Sequence, residues 1–66
     1  MKSQGYKNYK GIQGNCYKLW TIVEDGKISY QLEHVWGPGR LYGVIAEGDV
    51  EDVKPVMKRL MLERVK

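Results

Sequence analysis

Cys16 and His34 are the only cysteine and the only histidine in a chain of 66 residues, so any thiol, imidazole or zinc chemistry has one of each to work with. A thiol nucleophile needs its base within hydrogen-bond reach, and a structural zinc needs four nitrogen or sulfur ligands. The register worked out below sends Cys16 and His34 to opposite faces of a sheet, which argues against a catalytic pair. One cysteine also rules out an intrachain disulfide, and it is read here as a plain, buried or half-buried thiol. His34 is read as a structural residue opposite Tyr17. Glu47, Asp49, Glu51 and Asp52 form an acidic cluster, but carboxylates at the start of a helix are already explained by its dipole, so no metal site is assigned. A hydrolase with paired carboxylates would need a cleft that so short a chain can hardly build. The expectation is a non-catalytic protein without metal or cofactor.

Two further stretches carry binding chemistry. Gly37-Pro38-Gly39-Arg40 lacks the spacing and the lysine of a phosphate-binding loop and reads as a turn that presents Arg40. In the arm, Tyr6, Lys7, Tyr9 and Lys10 interleave rings with ammonium groups, and Tyr17-Lys18 repeats the pairing. Such interleaving suits single-stranded nucleic acid, since bases stack on rings while lysines neutralise phosphates. An edge strand guarded by lysines produces the same pattern.

The element that positions these residues is a hairpin from Tyr17 to Trp36. Folding it at Asp25-Gly26 sets Val23 against Ile28, Thr21 against Tyr30, Leu19 against Leu32 and Tyr17 against His34 on one face. The opposite face pairs Lys18 with Glu33. Strand one is expected over about Cys16 to Val23 and strand two over about Lys27 to Trp36. Strand three, about Leu41 to Glu47, follows the Gly-Pro-Gly turn and sets Leu32 against Ile45 and His34 against Gly43. A three-residue loop would slip it by one and turn Tyr42, Val44 and Ala46 inward instead.

Residues 1–15 carry three glycines and little apolar content, so they read as a flexible arm or weak edge strand beside a single domain over 16–66. If Gly14-Asn15 turns the chain, Tyr9 to Ile12 become a fourth strand, with Ile12 opposite Tyr17 and Tyr9 opposite Trp20. Beyond Gly48 the apolar period lengthens, and Val50, Val53, Met57, Leu60, Met61 and Arg64 or Val65 share a helical side. The favoured start is about Val53 with Asp52 as N-cap, which puts Pro55 in the first turn where no amide hydrogen is needed; with Asp49 as N-cap it would be the sixth helical residue.

The fold class is therefore α+β: a three-stranded antiparallel meander, with the arm as an optional fourth strand, packed on one face by a C-terminal helix. The helix should cover Leu19, Val23, Ile28, Leu32, Ile45 and Trp36. The reverse face keeps Trp20, Ile22, Val35, Tyr42 and Val44, more apolar than water requires. A protein-interaction or homodimer face at those residues is the leading expectation, and an accessory or inhibitory protein of a phage or mobile element fits the size and missing chemistry. The alternative is nucleic-acid binding through Tyr6, Lys7, Tyr9, Lys10, Lys18, Trp20 and Arg40. A net charge of +3 permits this without demanding it. With no apolar run after Met1 and a lone cysteine, a cytoplasmic protein that spans no membrane is expected.

Overall fold

The computed structural model describes residues 2–37 and 43–65. It is an α+β fold: one antiparallel sheet with a single helix packed on it. The strands are β1 (Lys2–Lys10), β2 (Cys16–Glu24), β3 (Lys27–Trp36), β4 (Gly43–Gly48) and β5 (Glu63–Arg64), with α1 (Val50–Arg59) between the last two. Their order across the sheet is β4-β3-β2-β1-β5, five strands where three or four were expected. Among the described residues no helix is long and apolar enough to cross a membrane.

The central hairpin has the expected register at every pair from Tyr17↔His34 to Val23↔Ile28. Asp25 at φ 52° and Gly26 at φ 77° are both left-handed, which gives the two-residue turn the twist that the strands need. At the far end a bulge between Cys16 and Tyr17 adds a residue to β3. Four registers or boundaries depart from the sequence reading. β1 leaves through five residues, with Gly11 N–H bonded to the Asn15 carbonyl at 2.8 Å, so Tyr9 faces Tyr17 and Tyr6 faces Trp20. Ile12 sits in the connecting turn and is 58% exposed.

β4 satisfies both candidate registers in turn. His34↔Gly43 holds as expected, but a bulge between Leu32 and Glu33 leaves Ile45 over and brings Ala46, not Ile45, opposite Leu32. Ile45 is accordingly half exposed. Leu41 and Arg40, with the turn residues Pro38 and Gly39, lie outside the described residues.

The helix starts earlier than favoured: Asp49 is the N-cap and Pro55 is the sixth residue inside it. β4 pairs as far as Gly48, so Asp49 is the first residue released to begin a helix. Asp52 closes its N-terminus by accepting the Asp49 N–H at 3.0 Å. The hydrogen bond and negative charge that Asp52 brings hold the Asp49 carboxyl above its ordinary value, so folding takes up a proton there. The stability this lends is present in acid and is lost as pH rises through the raised value. Pro55 is tolerated because it is exposed, as is Glu51, whose carbonyl would otherwise have taken its missing hydrogen bond and is open to water.

The helix also ends earlier. Met61 takes φ 53° while the Leu62 N–H reaches the Met57 carbonyl and the Met61 N–H reaches that of Lys58, a Schellman motif that stops α1. Leu60, Met61, Arg64 and Val65 thus leave the helical stripe, and the chain pairs with β1 as β5. A methionine in this left-handed position is strained, and Met61 is 64% exposed, so little packing is at stake. We expect Met61→Gly to raise the unfolding free energy by about 0.5–1 kcal/mol. A urea midpoint that falls would contradict this.

The core is small. Leu32 and Val53 are fully buried where α1 crosses β3 and β4, and Tyr17 and His34 close the same region. The helix does not reach the rest of that face: Ile28 and Trp36 are each 58% exposed, so neither belongs to the core expected of them.

Candidate functional site

The face of the sheet away from α1 is built by alternation. Tyr6, Trp20 and Gln31 lie side by side across β1, β2 and β3, with Gln4, Ile22 and Ser29 in the next row and Asn8, Lys18, Glu33 and Val44 in the row before. Trp20 is locked from two sides. Its indole N–H donates to Glu33 Oε1 at 2.9 Å, and the Tyr6 ring leans on it with centroids 4.8 Å apart and planes at 52°. The Lys18 ammonium sits 4.3 Å from the Tyr6 centroid and 6.0 Å from that of Trp20. These contacts use geometry that aromatic rings and cations prefer, so the cluster is ordered before anything binds.

Beside it lies a shallow hollow of about 260 Å³ lined by Gln4, Trp20, Gln31, Glu33 and Val44. Val44 is 51% exposed at its edge. An ordered indole and an exposed valine inside a rim of amides and a carboxylate resemble the apolar centre and polar rim of a protein contact.

Of the residues expected to form the interaction face, Trp20, Ile22 and Val44 are brought together. Ile22, however, is only 9% exposed and is already internal to the sheet's own surface. Val35 falls at the β2–β3 bulge, in a separate hollow with Asn8, Cys16, Lys18 and Val65. Tyr42 lies outside the described residues. Tyr6 is the member that sequence reasoning left out of this face, because it turned the chain at Gly14-Asn15 and so placed Tyr9 opposite Trp20, where the structure connects the strands through five residues, 11–15.

The basic and aromatic arm is split by the same alternation. Tyr6, Lys10, Lys18 and Trp20 face one way, while Lys7 and Tyr9 face the other. Arg40 is outside the described residues.

At the other end of the molecule His34 is 5% exposed, stacked on Tyr17 at 4.8 Å, with its Nε2 donating to the Trp36 carbonyl at 3.1 Å. Cys16 is exposed, contrary to the buried or half-buried thiol expected, because the bulge beside it ends the regular ladder; its Sγ lies 3.6 Å from the Gly14 carbonyl. Among the described residues no cluster of three histidine, cysteine, aspartate or glutamate side chains could hold a metal ion. No protein-family model, curated protein or solved structure matches this chain.

Proposed function

We propose that this chain is a small non-catalytic binding module that docks another protein through the open sheet face around Trp20, Tyr6 and Val44. The observation that carries this reading is the pre-ordered indole of Trp20, held by Glu33 and Tyr6 beside the exposed Val44 in a polar-rimmed hollow. Aromatic side chains fixed in advance make strong anchors because little rotamer entropy is left to lose.

The size of the surface supports it. A compact monomer of 7.6 kDa is expected to expose about 4300 Å², and this chain exposes 5116 Å². Its radius of gyration is 11.9 Å against an expected value of about 10.8 Å. The surplus is close to the roughly 800 Å² that one partner contributes to a standard interface.

The test is a paired capture with the native chain and Val44→Glu as baits. Val44 is exposed, so the variant keeps its core while placing a charge in the hollow. A protein retained by the native bait and weakened at least about tenfold by Val44→Glu is the expected result. A partner held equally by both, or none at all, would overturn the reading.

A second reading has its own observation: Lys18, Tyr6 and Trp20 share one face with Lys10, a pattern suited to stacking bases between cations. It predicts binding to single-stranded DNA or RNA that falls steeply with salt. Against it, Glu33 sets a carboxylate beside the same ring.

A further inference from the structure

The two edges of the sheet are unequal. β4 is six residues long, broken by the bulge at Ile45 and flanked by α1, which are features that discourage a second strand from joining. β1 is nine residues long and unbroken, without proline or bulge. β5 covers only its end, pairing with Tyr9 and Lys10, and the Val65 N–H reaches the Asn8 carbonyl at 2.8 Å.

That last bond reveals which backbone groups face outward. In an antiparallel ladder the N–H and C=O of one residue point the same way, and successive residues alternate. Since the Asn8 carbonyl points to β5, those of Tyr6 and Gln4 point out as well, while Gly5 and Lys7 bond to β2. Beyond the reach of β5, Gln4 and Tyr6 therefore offer two donors and two acceptors along an edge that is free among the described residues.

We infer that a second copy of this chain pairs with that edge, β1 against β1, about a two-fold axis through Gly5. Gly5 lies between Gln4 and Tyr6, so this axis joins the outward groups of both residues, and the pairing stops short of Asn8, where the Val65 N–H is already bonded. Gln4 then stands opposite Tyr6 of the second copy, and Tyr6 opposite Gln4, so that every outward group of both residues is bonded. Lys7 meets Ser3, so no lysine faces another. A two-residue shift that put Tyr6 on the axis would oppose Lys2 to Lys10 and collide with β5. The pairing also shelters Tyr6, now 49% exposed.

Such an axis runs normal to the sheet, so the two open faces lie on the same side and the two Trp20 hollows form one doubled surface. The inference uses the backbone edge and does not rest on what the face binds.

The test measures solution mass across concentrations with the whole chain. The native protein should approach twice 7.6 kDa. Gln4→Pro removes an outward backbone donor and no bond to β2, and so should leave the monomer folded while weakening the dimer about tenfold or more. A synthetic chain N-methylated at Tyr6 serves as the second variant if proline disturbs the strand. The register is read by Gly5→Cys in a Cys16→Ser background. On the axis the two Gly5 residues form a non-hydrogen-bonded pair, with Cα atoms about 4.5 Å apart, within disulfide range. An added Cβ at Gly5 meets nothing within 4 Å, so the variant should fold. Rapid disulfide-linked dimer from Gly5→Cys, and much slower linkage from Tyr6→Cys, is expected. A native chain that stays monomeric into the millimolar range would overturn the inference. So would a dimer indifferent to both edge variants and without Gly5 cross-linking.

Discussion

Gly37→Ala is expected to destabilise the protein by roughly 3 kcal/mol, which for a core of this size removes most of its stability. A β-carbon at Gly37 would fall on Asn15 Oδ1 and lie 2.7 Å from His34 Nε2. Neither neighbour can retreat easily. Asn15 is 5% exposed and tied by its amide to the Ile12 carbonyl at 2.8 Å, and His34 is stacked on Tyr17. Among the described residues the Asn15 Oδ1 is buried without a hydrogen bond, so the corner is already costly and has nothing in reserve. Urea unfolding of Gly37→Ala, and of Gly37→Ala with Asn15→Gly, checks the cause. The double variant should recover part of the loss; an unchanged midpoint in Gly37→Ala would refute the argument.

Leu32→Ala should cost a similar amount, about 3 kcal/mol, since Leu32 is fully buried under α1 and, among the described residues, one of only two large side chains so enclosed. The informative comparison is Ile28→Ala. Both residues lie on the helix-facing side of β3, and by periodicity alone both belong to the core. Ile28 is 58% exposed, so its truncation should cost well under half as much. Equal losses in thermal or urea unfolding would mean that the uncovered half of this face is buried in solution.

From Tyr17 to His34 the central hairpin was legible in the sequence because three constraints agree there, while the bulge that displaces Val35 left no mark in the alternation. Asp25-Gly26 favours a two-residue turn, the alternation gathers one apolar face, and Lys18 meets Glu33. Elsewhere the constraints conflict or fall silent. Val44, Ile45 and Ala46 are apolar in succession, so either register of β4 satisfies alternation, and only the bulge reveals that both are used. Asp49 and Asp52 are equal N-caps on paper; the choice was made by how far β4 pairs, a tertiary fact. β5 is two residues long and carries no period to detect. As for the candidate site, Trp20 and Val44 were found because a strand's face follows from its register. Tyr6 was missed for the same reason, one connection having been assigned the wrong length.

β5 joins the sheet through two residue pairs and the Val65–Asn8 bond. So slight an attachment opens at little cost, far more often than the doubly flanked β2 and β3. Each opening adds the outward groups of Asn8 and Lys10 to the bare rim of β1, lengthening what a neighbouring strand can grip. For the β1 pairing inferred above, Glu63–Arg64 would act as a ruler: closed, they hold the reach of β1 to a defined span, and frayed, they lengthen it.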